Sequence, residues 1–123
     1  MFHDFELLRG FIESPRFHRR WFFYGLTEDD LLQLQLQLLE DPKAGSVIPG
    51  TGRLRKMRFA FPDRGKSRSV RVLYIDFEQQ ERIFLLNVFA KSEQENLTQE
   101  QRNNIKKSLR CLEKELFGGK ENE

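Results

Sequence analysis

Three β-rich runs follow one another with short connections: Leu54 to Phe61, Val70 to Phe77, and Ile83 to Ala90. Between them lie Pro62-Asp63-Arg64-Gly65-Lys66-Ser67 and Glu78-Gln79-Gln80-Glu81, loops too short for the helical crossover that parallel pairing needs. Neighbouring runs therefore pair antiparallel, and a three-stranded meander is the scaffold on which the chain is assembled. Alternation then sorts the side chains. In the last run it puts Phe84, Leu86, Val88 and Ala90 on one face, for packing against helices. Ile83, Leu85, Asn87, Phe89 and Lys91 fall on the other. In the first run Lys56 and Arg58 point the same way, flanked by Leu54 and Ala60, which makes a charged strip.

Helices flank the meander. Thr27 is a good N-cap, and Glu28, Asp29 and Asp30 put negative charge where the helix dipole favours it. The Leu-Gln alternation that follows is a strand pattern taken alone, but Leu and Gln lack β-branching and the cap immediately precedes them. The reading is a helix with two adjacent stripes, Leu31, Leu34, Leu38 and Leu32, Leu36, Leu39, forming a broad buried face and ending at Asp41-Pro42 with Gly45. A second helix begins at the capping box Thr98-Gln99-Glu100-Gln101, carries the stripe Ile105, Leu109, Leu112, Leu116, and stops at Gly118-Gly119. Met1 to Phe17 reads as a strand and an irregular segment broken at Pro15. His18 to Gly25 reads as a short helix whose cluster Trp21-Phe22-Phe23-Tyr24 turns toward the core.

The 123 residues fit one domain, with residues 1–26 as an N-terminal strand and short helix and 120–123 as a frayed tail. The single cysteine, Cys111, excludes an internal disulfide and a cysteine metal cluster, and a reducing, cytosolic setting is the simple inference. No apolar run approaches the ~20 residues that span a bilayer. The N-terminus has early acids and no apolar core of a signal peptide.

Charge is segregated. From Gly50 to Tyr74 stand eight cations (Arg53, Arg55, Lys56, Arg58, Arg64, Lys66, Arg68 and Arg71) against one acid, Asp63. This stretch carries +7 in a chain whose total is +2, which leaves −5 elsewhere. Such a field points to a phosphate-rich partner, most simply a nucleic acid. Gly50-Thr51-Gly52 lacks the spacing of a phosphate-binding loop and leads into a strand, so it is a turn. His3 and His18 lie away from the basic strip without metal-type spacing. Asp76 and Glu78 imitate a carboxylate pair but flank a turn and read as a solvated edge. Residue chemistry alone leaves nucleic-acid binding, catalysis and mere surface charge open. One reaction suits many cations without metal ligands: RNA cleavage by attack of the neighbouring 2′-hydroxyl. Preorganised cations stabilise the charge developing on phosphorus, and a lysine held among other cations serves as base. DNA lacks that hydroxyl, so the chemistry is restricted to RNA.

The ordered set Val47-Ile-Pro-Gly-Thr-Gly-Arg-Leu-Arg-Lys-Met-Arg58, Val70-Arg-Val-Leu-Tyr74, Phe84-Leu-Leu-Asn-Val-Phe-Ala-Lys91 and Asn96-Leu-Thr-Gln-Glu100 resembles the RelE/HigB-like toxins of type II toxin–antitoxin modules. The resemblance runs from about Thr27 to Leu116. It implies a small α+β fold, a curved antiparallel sheet with helices packed on one face. It also implies ribosome-dependent cleavage of mRNA without metal or other cofactor, no membrane association, and a cognate antitoxin with a helix-turn-helix DNA-binding domain. Carried over by position, Lys56 and Arg58 match the basic pair of the first meander strand, Arg71 the transition-state arginine, and Lys91 the cation ending the last strand. Arg53, Arg55, Arg64, Lys66 and Arg68 are then RNA or ribosome contacts, joined by Phe89, which can stack on a base. Many relatives have Tyr where this chain has Phe89, and Phe cannot transfer a proton. That difference keeps two alternatives in view: a gyrase inhibitor of the ParE type on the same fold, and a plain nucleic-acid-binding domain.

Overall fold

A computed structural model describes residues 10–62, 68–90 and 97–118. The elements in order are β1 (Gly10–Glu13), α1 (Pro15–Phe23), α2 (Glu28–Glu40), β2 (Ser46–Val47), β3 (Leu54–Ala60), β4 (Ser69–Phe77), a 3₁₀ turn (Glu78–Gln80), β5 (Arg82–Ala90) and α3 (Gln99–Phe117). The sheet has the order β1-β5-β4-β3-β2. The meander β3-β4-β5 is antiparallel, as its short connections require. Glu81 closes the β4–β5 turn in the left-handed region at φ 56°.

The α+β class follows, with two differences from the expected curved antiparallel sheet and its one helical face. First, the sheet is uncurled and mixed, because β1 lies parallel to β5. Second, it carries helices on both faces. β4 is apolar on each side, with Val70, Val72 and Tyr74 in one cluster and Ile75 and Phe77 in the other. Two apolar faces need two covers. α1 and α2 bury the first through Phe17, Trp21, Leu34 and Leu38. α3 buries part of the second through Leu109, with Ile105, Leu112 and Phe117 around it.

Local chemistry sets the helix ends. Pro15 starts α1 instead of breaking the chain. Ser14 is the N-cap, its Oγ accepting from the Phe17 N–H at 2.9 Å, and Pro at the first helical position needs no donor. The expected capping box of Thr98 with Gln101 forms, and the expected Thr27 cap proves to be a capping box too, with Asp30. Trp21 turns into the core as anticipated, stacked on Phe17, whereas its neighbour Phe23 is 77% exposed. The broad leucine face of α2 is narrower than expected. Leu34 and Leu38 are buried, but Leu32 is 50% exposed. No described helix is long and apolar enough to cross a membrane.

Strict alternation fails once, in β5. Leu73 pairs with Asn87 but Tyr74 pairs with Leu85, so Leu86 is an extra residue and the ladder has a β-bulge. The bulge moves Val88 onto the face of Ile83 and Leu85, all in one core cluster, while Phe84 and Leu86 pack in the other. The expected grouping of Phe84 and Leu86 with Val88 and Ala90 is therefore corrected. It assumed an unbroken period of two.

Candidate nucleic-acid interface

The register brings one set of side chains onto the face that α3 covers only in part. Across β3, β4 and β5, Leu54, Ile75 and Phe84 form an apolar row beneath α3. The next row on that face is Lys56, Leu73 and Asn87, and the one after it is Arg58, Arg71 and Phe89. Lys56 and Arg58 are exposed, and Arg71 and Asn87 half-buried. Arg58 and Arg71 are direct cross-strand partners. Ser69 lies beside them, and its Oγ accepts from Arg71 Nη1 at 3.3 Å. Among the described residues of these strands, no carboxylate shares the face.

The remaining basic residues divide. Arg53 is ion-paired with Glu113 of α3, and its guanidinium lies over the Phe77 ring at 4.9 Å. Arg55 is on the opposite face, where its Nη1 donates to Gly45 O at 2.6 Å and holds the loop before β2. Arg68 is exposed over the Phe61 ring, 4.5 Å from its centroid. Arg64, Lys66 and Lys91 lie outside the described residues. Phe89 stands on the basic face but is only 4% exposed, so in this structure its ring is floor, not an open stacking platform.

The Gly50-Thr51-Gly52 segment is a turn. Thr51 is buried, its hydroxyl donating to Ile48 O at 2.7 Å and accepting from the Leu54 N–H at 3.2 Å. Gly50 has φ +86°, and a Cβ there would stand 3.1 Å from Arg102 Cδ of α3. Glycine is favoured there by backbone hand, and the Arg102 side chain would have to shift to admit a Cβ. His18, on α1, sits 3.1 Å from Glu13 Oε1, and His3 is outside the described residues. Asp76 and Glu78 are bridged by Lys43, at 4.0 and 3.2 Å. The Asp76 side chain is largely buried there and is not part of a solvated edge. Tyr74 belongs to the other face. Its buried hydroxyl accepts from the Gly45 N–H at 2.9 Å and donates to Pro42 O at 2.8 Å, and burial raises its pKa above the ordinary phenol value of 10.0.

What sequence reasoning missed is the support behind the site. β1 reaches along β5 only to Leu85, and among the described residues no strand neighbours Leu86 to Ala90 on that side. Side chains from α1 and its cap take that place. Ser14 Oγ donates to Leu86 O at 2.6 Å, Arg20 Nε donates to Val88 O at 2.9 Å, and the Ala90 N–H donates to Tyr24 Oη at 3.2 Å. These partners are separated by 66 to 72 residues, beyond any local pattern. Asn87 was also overlooked: alternation grouped it with Phe89 and Lys91, but a neutral amide inside an apolar run carries no charge signal.

Comparison with known proteins agrees with this architecture. Residues 17–117 match the family model described as the RelE toxin of the RelE/RelB toxin–antitoxin system. Among solved structures, a mutant of E. coli toxin RelE in the free state superposes with a TM-score of 0.51 at 16% sequence identity, covering 70% of this chain and 87% of that one. That likeness is one of fold. With the family model spanning most of the sequence, the chain belongs to the RelE toxin family of toxin–antitoxin systems.

Proposed function

We propose that this toxin inhibits translation in the cytoplasm as a ribosome-dependent, metal-independent mRNA endonuclease, restrained by a cognate antitoxin that carries a helix-turn-helix DNA-binding domain. The observation that carries the reading is the direct Arg58–Arg71 pairing beside Lys56, on a partly uncovered sheet face that lacks a carboxylate among its described residues. Like charges placed opposite one another destabilise a sheet. A phosphodiester laid across them reverses the sign, so the arrangement is useful only with an anion bound.

In the proposed reaction Lys56 takes the proton of the attacking 2′-hydroxyl, while Arg58 and Arg71 stabilise the charge developing on the phosphorus oxygens. Lys91 joins them from the end of the last strand. Arg64, Lys66 and Arg68 hold the RNA or ribosome. Arg53 and Arg55 would first have to leave Glu113 and Gly45 O, which makes them peripheral contacts. Phe89, the cross-strand partner of Arg71, is buried, and it stacks on a base only if its ring becomes exposed. With no phenol or imidazole on this face among the described residues, the leaving 5′ oxygen takes its proton from a lysine or from solvent.

Mapping mRNA 5′ ends after induction without the antitoxin tests the proposal. Wild type should produce new ends within translated messages, and Arg71→Ala should lose them by at least about a hundredfold, the loss typical of one charge-stabilising group. Intact transcripts in arrested cells would exclude cleavage. The absence of a proton donor at Phe89 favours a second reading, a ParE-like gyrase inhibitor. Its signature is DNA-damage signalling with protein synthesis continuing, and toxicity that survives Lys56→Ala and Arg71→Ala.

A further inference from the structure

The β-bulge in β5 is fastened from both sides. Behind it, Ser14 holds the Leu86 carbonyl and Arg20 the Val88 carbonyl. Within it, Asn87 Oδ1 accepts from the Val88 N–H at 2.8 Å. Bulges re-aim side chains and are common beside active sites. Here the extra residue, Leu86, transfers Asn87 from the face of Ile83 and Leu85 to the face of Lys56, Arg58 and Arg71. Asn87 pairs with Leu73, which pairs with Lys56, so Lys56 and Asn87 stand two strand spacings apart, roughly 10 Å. Arg71 is diagonal to Asn87, within roughly 7–8 Å.

The Val88 hydrogen bond also sets which end of the carboxamide the backbone engages. A backbone N–H can be accepted only by the amide oxygen, so Nδ2 keeps its two donors for another partner. Among the described residues of this face, Asn87 is a neutral donor whose orientation is locked by its own backbone.

We propose that Asn87 contacts the substrate, its Nδ2–H donating to a non-bridging phosphate oxygen of the RNA strand held by Lys56 and Arg71. The inference rests on the reading of this face as an RNA site. Lysine and arginine supply charge, and Asn87 supplies a donor at a defined place without charge. It thereby sets the position of the phosphate relative to the base at Lys56.

Binding of a short single-stranded oligoribonucleotide of mixed sequence, 2′-O-methylated to prevent cleavage, tests this on the full chain. Asn87→Asp keeps the oxygen that receives Val88 N–H and replaces the donor by a negative acceptor. It should fold with an unchanged melting temperature and bind about a hundredfold more weakly. Asn87→Ala should lose about tenfold, the worth of one hydrogen bond to a charged group. Its salt dependence should match wild type, because a neutral donor releases no counterion. Wild-type affinity in Asn87→Asp would overturn the proposal. So would equal losses in both variants accompanied by equal losses of melting temperature, the mark of a purely structural role. The triple variant Lys56→Gln, Arg58→Gln, Arg71→Gln separates this from the underlying reading. If it loses affinity while Asn87→Asp does not, Asn87 alone is wrongly assigned. If it binds like wild type, the RNA site itself falls, and the role of Asn87 with it.

Discussion

Tyr74 shows how a residue inside a functional-looking motif can serve the fold. Its hydroxyl joins the Gly45 N–H and the Pro42 carbonyl, both in the connection between α2 and β2. Tyr74→Phe leaves two backbone groups without their partner and should cost about 1–3 kcal/mol in urea unfolding at neutral pH. The pH dependence has a definite sign. Burial raises the folded-state pKa above 10.0, so on raising pH the unfolded chain ionises first. This contribution is complete below about pH 10 and is lost as pH rises through the higher folded value. Wild type should therefore lose stability above about pH 10 more steeply than Tyr74→Phe, and parallel curves would show that folding does not change the ionisation of the phenol. Lys56, Arg58 and Arg71 were legible in the sequence because β3 and β4 keep a strict period of two. Asn87 was not, because a neutral amide among apolar residues gives no charge signal, and nothing in Leu85-Leu86-Asn87 marks the bulge that separates it from the face of Ile83 and Leu85.

Among the elements, helix ends were the most readable, since a cap is a bond between residues three apart. Thr27 and Thr98 are local signals with local partners. The work of α1 is the opposite case. Its residues serve as the missing neighbour of β5, and Arg20 links the Val88 carbonyl to the Tyr24 hydroxyl. Removing that guanidinium should loosen the strand end next to the basic face more than it unfolds the molecule. Arg20→Ala is expected to speed amide exchange at Ala90 while costing about 1–3 kcal/mol globally. Unchanged exchange there would show that the strand end is held without Arg20. α3 is attached differently, by apolar contact at its centre with the Arg53–Glu113 ion pair and an Arg102 bond to Pro49 O beside it. Leu109 packs with Leu54, Ile75, Phe77 and Phe84, and Leu109→Ala should cost about 2–5 kcal/mol by thermal or urea unfolding. The side of the sheet that α3 occupies could not be read from its stripe. The stripe states that one helix face is buried, not which of two apolar sheet faces receives it.

At the scale of the whole molecule, the segregation of charge seen along the chain becomes a segregation by face, but not of all eight cations. Lys56, Arg58 and Arg71 share the partly uncovered face, Arg55 turns to the other, and Arg53 is paired with α3. A count of charge along the chain does not divide it by face, whereas strand alternation does, because adjacent residues of a strand are neighbours in the chain and opposites in space. The division has a thermodynamic readout. Each phosphate neutralised on a single strand contributes roughly −0.7 to the slope of log affinity against log salt. The three cations of the open face account for about −2, and with Arg64, Lys66, Arg68 and Lys91 the total approaches roughly −5. Binding of a 2′-O-methylated oligoribonucleotide, followed by anisotropy across a salt series, should thus flatten by about 2 when Lys56, Arg58 and Arg71 are all replaced by Gln. Arg55→Gln should leave the slope at its wild-type value although it is the immediate neighbour of Lys56, and should instead lower stability through the loss of its bond to Gly45. A slope that falls as much for Arg55→Gln as for Arg58→Gln would mean that the RNA engages both faces of the sheet.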